Sequence, residues 1–114
     1  MTLNNTKLMY TVAMLLKYLA EGKYDELAKL TDTIRMRAAE IAEAIDSYPG
    51  EIISVINPED LDVIKINSPK EECWSVNVRL HTDLESPSDL TMSLTLIESN
   101  TNYYNVELDD IHVM

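Results

Sequence analysis

A change in hydrophobic period halfway along the chain is the feature that most constrains how it can fold. Between residues 8 and 19, apolar residues recur at the 3.6-residue spacing of an amphipathic helix. From residue 73 to 82, and again from 89 to 98, apolar and polar residues alternate one by one. Such alternation belongs to strands of a sheet that buries only one of its faces. The sequence therefore predicts helices first and antiparallel strands afterwards, which is an α+β fold.

Three helical segments are predicted in the first half of the chain. The first covers residues 8–19, the second residues 24–30, and the third runs from residue 32 or 33 to residue 47. Gly22 suits the left-handed position that commonly follows the end of a helix. The inward face of the third helix is predicted to consist of Ile34, Ala38, Ile41 and Ile45.

Strands are predicted throughout the second half, at residues 51–56, 61–66, 73–82, 89–98 and 103–113. The four-residue link between the last two is typical of a hairpin. We expect one domain, residues 1–114, because the length allows no more. In it, two to three N-terminal helices pack on one face of an antiparallel sheet of about four to five strands.

The last predicted strand changes parity near its end. Its inward apolar residues are even-numbered up to Leu108 and odd-numbered from Ile111 onwards. Inserting one residue exchanges the two faces of a strand. A β-bulge at Asp109-Asp110, or a strand that ends there and restarts, would account for the change.

Acidic residues are strongly concentrated in the strand half. The chain has 20 Asp and Glu against 9 Lys and Arg, a net charge of −11. Residues 1–57 carry only −2 of this, and residues 58–114 carry −9. Such a charge argues against a nucleic-acid-binding surface and against adhesion to an anionic membrane. It fits a solubilising surface, and it also fits electrostatic complementarity to a basic protein partner.

The two histidines are the main candidates for chemistry. Asp110 and His112 share a face if the last strand is regular there, and could form a general base or two metal ligands. A solvated strand end explains the same residues equally well. His81 is expected on the polar sheet face beside Arg79, either binding an anion or forming an ordinary half-exposed surface.

Nothing else in the sequence suggests catalysis. The chain has two glycines and no glycine-rich phosphate loop. Its one cysteine, Cys73, rules out an internal disulfide, and the neighbouring Glu71 and Glu72 disfavour a reactive thiolate. We therefore expect no enzymatic activity, no metal and no cofactor. The single cysteine and the absence of a recognisable signal or membrane span predict a cytoplasmic protein.

Several motifs resemble known families. Trp74-Ser75-Val76, residues 88–91 and residues 109–113 resemble a small bacterial family with the C-terminal pattern W-S-V, S-D-L-T and D-D-[IL]-H-V. Residues 18–27 are similar to the opening helices of nuclear-transport-factor-2-like domains. In size, acidity and layout, the chain also resembles immunity proteins of bacterial contact-dependent growth inhibition. Those proteins neutralise a toxin domain, commonly a nuclease, by binding it.

Two functional hypotheses follow. The first is an acidic immunity or antitoxin protein that binds a basic toxin domain. Its predicted contact surface consists of five carboxylates, Asp83, Glu85, Asp89, Asp109 and Asp110. The alternative is a small-ligand-binding or enzymatic domain of the nuclear-transport-factor-2-like type, with His81, His112 and Asp110 in one pocket. We expect a monomer or weak dimer, since a polar sheet face makes a poor obligate interface.

Overall fold

In the described part of the N-terminal half there are three helices, as the apolar periodicity predicts. The computed structural model describes residues 3–31, 36–67 and 71–113. The helices are α1 (Asn5–Ala20), α2 (Tyr24–Leu30) and α3 (Ala38–Asp46). The Asn4 side chain accepts the Lys7 N–H and caps the start of α1. The predicted start of the third helix and its inward residue Ile34 lie outside the described residues.

Among the described residues, six strands form two antiparallel sheets in the second half. They are β1 (Ile52–Ile53), β2 (Leu61–Ile66), β3 (Cys73–Arg79), β4 (His81–Thr82), β5 (Leu90–Ile97) and β6 (Asn105–Val113). The larger sheet has the order β2-β3-β5-β6, and β1 pairs with β4 in a separate two-stranded sheet. A single 3-10 turn, Pro58–Asp60, precedes β2. The predicted α+β architecture is confirmed.

Two predicted strands differ from those in the structure. The predicted strand 51–56 shortens to β1, and the predicted strand 73–82 divides at Leu80 into β3 and β4. At that point the chain leaves the four-stranded sheet, and His81 pairs with Ile53 of β1 instead. The expectation that His81 lies beside Arg79 on the polar face is therefore wrong.

The helices cover one face of the four-stranded sheet, and their apolar residues form one cluster with it. The sheet contributes ten buried residues, Trp74, Val76, Val78, Leu90, Met92, Leu94, Leu96, Val106, Leu108 and Ile111. Helix α1 contributes Leu8, Val12, Leu15, Leu16 and Leu19. The opposite face carries mainly Ser, Thr, Asn and acidic side chains, and we call it the open face.

The N-terminal half of α1 is attached to the hairpin between β5 and β6. The Thr11 hydroxyl is fully buried and accepts the Tyr104 N–H at 3.0 Å. Lys7 Nζ lies 2.6 Å from Glu98 Oε1 and 4.5 Å from the centre of the Tyr104 ring. These polar contacts fix where α1 crosses the sheet, because an apolar interface alone has no strong directional preference.

The parity change predicted in the last strand is a β-bulge. Ser93 pairs with Asp110, whereas the next residue, Leu94, pairs with Leu108. Asp109 is therefore the extra residue of β6, and its Oδ2 accepts the Thr95 hydroxyl at 2.7 Å. Both Leu108 and Ile111 remain buried, because the bulge restores the inward orientation after Asp109.

Deleting Asp109 should leave the fold intact. The ladder then runs from Leu108 directly to Asp110, and every later side chain keeps its face. We expect cooperative unfolding in urea and a loss of about 1 kcal/mol, the net value of one hydrogen bond.

The matched control is deletion of Thr95 from the regular ladder of β5, which turns the fully buried Leu96 towards the open face. That deletion should cost more than about 2 kcal/mol. Equal destabilisation by the two deletions would contradict the assignment of Asp109 as the extra residue.

Candidate functional site

The segment from Asp83 to Asp89, which we call the acidic loop, is attached to the turn between α3 and β1. Asp83 Oδ1 accepts the Glu51 N–H at 2.7 Å, and the Asp83 N–H donates to the Glu51 carbonyl at 3.0 Å. Gly50 has a φ of +90°, and a Cβ there would lie 2.8 Å from Asp83 Oδ1. Glycine is therefore required at this close approach on both conformational and steric grounds.

Tyr48 holds the other part of the acidic loop. Its hydroxyl donates to Glu85 Oε1 at 2.5 Å and accepts the Asp89 N–H at 3.2 Å. The hydrogen bond to Glu85 raises the pKa of the Tyr48 phenol, since ionisation would place two negative charges together. Thr82 of β4, which directly precedes the loop, also accepts the Glu85 N–H with its Oγ1 at 2.9 Å. The loop is thus held by side-chain and backbone bonds along its length.

The five predicted contact residues fall into two groups. Asp83, Glu85 and Asp89 belong to the acidic loop, whereas Asp109 and Asp110 lie on the open face of β6. Asp110 lies opposite Ser93, four residues beyond Asp89 along β5. At a rise of about 3.3 Å per residue, the two groups are roughly 13 Å apart along the strand.

A polar row crosses the open face and ends in an acidic residue at each side. Asp62, Asn77, Ser93 and Asp110 are successive partners across β2, β3, β5 and β6. The Ser93 hydroxyl donates to Asn77 Oδ1 at 2.7 Å. The centre of the face therefore carries short side chains, and the carboxylates stand at both edges.

A surface hollow of about 310 Å³ lies between the 3-10 turn and the open face. Arg79 and Asp89 line it, and their charged groups are 3.9 Å apart. The remaining residues of its lining are Glu59, Asp60, Leu61, Asp62, Asn77 and Thr91. Four acids thus surround one arginine, which leaves the hollow net negative.

The two histidines have different carboxylate partners. His112 Nδ1 lies 3.1 Å from Asp110 Oδ2 on the open face, as the proximity of these residues in sequence suggested. His81 Nε2 lies 2.6 Å from Asp60 Oδ2. Among the described residues, no group of three or more His, Cys, Asp or Glu could hold a metal ion.

Asp60, His81 and Ser86 form a hydrogen-bonded chain that has no counterpart in the sequence-based predictions. His81 is only 2% exposed, and its Nδ1 lies 2.5 Å from Ser86 Oγ. Asp60 is also buried, and its Oδ2 accepts the Asn57 N–H at 2.9 Å as well as the contact with His81. Ser86 is exposed on the acidic loop. These hydrogen bonds join the 3-10 turn, β4 and the acidic loop.

The Asp60–His81–Ser86 chain carries no recognisable sequence motif, because Asp60 lies 21 residues from His81 in a different segment. One local signal was available for Asp60. It stands three residues after Asn57, the spacing of a capping box, and the two residues exchange side-chain-to-backbone bonds. That pattern predicts an Asp60 carboxylate turned back towards the chain.

The fold and these surfaces define a class of small α+β domain, with helices on one face of a β-meander and acidic residues on the other. The chain belongs to a family described as Domain of unknown function (DUF7668), whose model matches residues 16–114. No curated protein and no solved structure matches the chain. In the described part of the chain, no helix is long and apolar enough to cross a membrane.

Replacing Asp60 with alanine should destabilise the protein. The change leaves the buried His81 ring nitrogen without its acceptor, which costs about 1–3 kcal/mol. Urea denaturation measures this loss. The control is Asp62→Ala, which removes an exposed carboxylate two residues away and should change the unfolding free energy by less than about 0.5 kcal/mol. Equal effects would contradict a structural role for the Asp60–His81 contact.

Replacing Tyr48 with phenylalanine should loosen the acidic loop. Because the folded pKa of Tyr48 is raised, its contribution to stability is complete below about pH 10 and is lost as pH rises through the folded value. In Tyr48→Phe, we expect faster hydrogen exchange at residues 83–89 at neutral pH. In an absorbance titration, the variant should also lack one tyrosine that ionises above the usual pH for a phenol.

Tyr10→Phe is the matched control, since Tyr10 is exposed on α1 and makes none of these loop contacts. If it accelerated exchange in the loop as much as Tyr48→Phe, the hydrogen bonds of Tyr48 would not be what holds the loop.

Proposed function

We propose that the protein is an acidic binding protein that neutralises a basic bacterial toxin domain, such as a nuclease, by direct contact. The observation that carries the proposal is a firmly held acidic loop beside an open sheet face that is acidic at both edges. A nuclease must be basic to hold nucleic acid, so its active surface is complementary to this one. The proposed setting is the cytoplasm.

Preorganisation supports a binding role for the acidic loop. Asp83 and Glu85 are already fixed by hydrogen bonds to Glu51 and Tyr48, so little freedom is lost when a partner docks. Between them, Leu84 is 68% exposed, the largest exposure among the large apolar residues described. Leu84 therefore offers a partner an apolar contact between two carboxylates.

The open face supplies a second contact area with room for a helix. Three strand spacings separate β2 from β6, or about 14 Å. An α-helix with its side chains is about 10–12 Å across. A partner helix lying over Asn77 and Ser93 could direct Lys or Arg side chains to Asp62 on one edge and Asp110 on the other.

The hollow beside Arg79 extends this surface towards the acidic loop. Arg79 is held only loosely by Asp89, and exposed ion pairs of this kind contribute little to stability. A cationic side chain of the partner entering the hollow would meet Glu59, Asp62 and Asp89. We therefore extend the proposed interface from the five predicted carboxylates to include Glu59, Asp62 and the exposed Leu84.

Neutralising the five predicted carboxylates should slow association with a toxin partner. The variant combines Asp83→Asn, Glu85→Gln, Asp89→Asn, Asp109→Asn and Asp110→Asn. Each amide keeps an oxygen that can accept the existing hydrogen bonds, while the net charge falls from −11 to −6. We expect about a tenfold or greater loss in association rate at low salt, because charge complementarity acts mainly on encounter.

The partner for this experiment is chosen by rescue of growth. The protein is co-expressed with basic nuclease-toxin domains encoded beside genes of its family, and the association rate is measured with the domain it neutralises. The matched control changes five exposed helical carboxylates to amides, Asp25, Glu26, Glu40, Glu43 and Asp46, and reaches the same net charge of −6. Equal slowing in both variants would contradict the assigned surface. Failure to rescue growth against every such domain would contradict the function.

A further inference from the structure

The Asp60–His81–Ser86 chain has the connectivity of a nucleophile, a base and an orienting carboxylate. Asp60 Oδ2 lies 2.6 Å from His81 Nε2, and His81 Nδ1 lies 2.5 Å from Ser86 Oγ. The proposed binding function uses none of these three contacts. We propose that Ser86 is an activated nucleophile that reacts with small carboxylic esters.

The hydrogen bonds determine which ring nitrogen of His81 is the base. The Asp60 oxygen that faces Nε2 also accepts the Asn57 N–H, as expected of an ionised carboxylate. A carboxylate can only accept, so Nε2 carries the proton. In the neutral ring, Nδ1 then has a lone pair directed at the Ser86 hydroxyl, which donates to it. This is the arrangement that activates a serine for nucleophilic attack.

The two ring nitrogens are exchanged relative to the serine protease triad, in which the base is Nε2 and the carboxylate faces Nδ1. The chemistry does not require that order. In either tautomer, one nitrogen donates to the carboxylate and the other can take the hydroxyl proton. The carboxylate stabilises the resulting imidazolium in both cases. Roles and geometry define such a set, since it recurs on unrelated folds.

The orienting carboxylate and the base are buried, and the nucleophile is exposed, as a serine that attacks an ester requires. Asp60 and His81 have side chains only 4% and 3% exposed, so water competes little for their hydrogen bond. Ser86 is exposed, so an ester can reach it from solvent. The base is thus kept in a water-poor environment beside an accessible hydroxyl.

Backbone hydrogen bonds hold the acidic loop on both sides of Ser86. Thr82 donates its N–H to the Glu85 carbonyl at 2.8 Å, and the Ser88 N–H donates to the Leu80 carbonyl at 2.8 Å. In the described part of the chain, the Ser86 N–H donates to no protein acceptor. An uncommitted N–H on the nucleophile itself is one of the donors that form the oxyanion hole in serine proteases.

The proposed reaction is hydrolysis through an acyl-serine. Ser86 Oγ forms a bond to the ester carbonyl carbon while its proton passes to His81 Nδ1. The bond to the leaving alkoxide then breaks, and the alkoxide takes that proton and departs as the alcohol. Water next gives a proton to Nδ1 and attacks the acyl carbon, which releases the carboxylic acid and restores the Ser86 hydroxyl. The sum is ester plus water giving acid plus alcohol.

The test uses a fluorophosphonate probe on the full chain, followed by peptide mass spectrometry. Attack by Ser86 forms an oxygen–phosphorus bond and releases hydrogen fluoride, which leaves a stable adduct. We expect modification at Ser86, and a fall in its rate of roughly 100-fold in His81→Gln, the contribution typical of a general base. Ser86→Ala should abolish it, together with any hydrolysis of p-nitrophenyl acetate above that of buffer.

Ser47 is the control within the same molecule, because it is exposed and its hydroxyl donates to a backbone carbonyl rather than to an imidazole. Labelling of Ser86 no faster than Ser47 in the folded protein would overturn the proposal. A rate unchanged by His81→Gln in a folded variant would overturn it as well.

A second variant tests the same activation if His81→Gln fails to fold. Ser86→Cys is made together with Cys73→Ser, so that one thiol remains, and its alkylation by iodoacetamide is followed against pH. A thiol paired with His81 should react at a midpoint at least one pH unit below that of a Ser47→Cys, Cys73→Ser control. Identical midpoints would overturn the proposal. Neither experiment involves a toxin domain, so its result is independent of the proposed binding function.

Discussion

The burial of one sheet face beneath the helices is the constraint on which the rest of the structure depends. Because β3, β5 and, on either side of its bulge, β6 alternate, a residue that turns towards α1 leaves its neighbour on the open face. The core and the open face are therefore consequences of the same pattern. Thr11 and Lys7 add the polar contacts that hold α1 in one position over the sheet.

Sequence periodicity predicted the parts of the fold that depend on that constraint. The helices, the inward residues of the main strands and the bulge at Asp109 all follow from residues next to one another in the chain. The position of His81 could not be predicted in this way. Leu80 and His81 continue the alternation of β3 in sequence, yet tertiary pairing with β1 moves His81 into another sheet and buries it.

The candidate surface was predictable in its charge and not in its arrangement. Counting acids locates the excess in the second half, but it does not distinguish Glu85, which bonds to Tyr48, from Asp62 at the edge of the open face. The hydrogen bonds that link Asp60, His81 and Ser86 were not predicted, because Asp60 and His81 are 21 residues apart in the sequence and meet only in the folded protein. The acidic loop contributes different side chains to the proposed partner surface and to the Asp60–His81–Ser86 chain. Its carboxylates belong to the proposed partner surface, and its serine lies against the His81 imidazole.

The bulge in β6 has an electrostatic consequence. A regular strand turns only every second residue to a given side, which limits how many like charges it can show per unit length. Inserting Asp109 brings it to the same side as Asp110, so two consecutive carboxylates share one short stretch of surface. Their mutual repulsion is a cost that the isolated protein carries alone. In the proposed complex, a Lys or Arg of the toxin domain would offset that repulsion, and the complex would resist unfolding more than the free chain does.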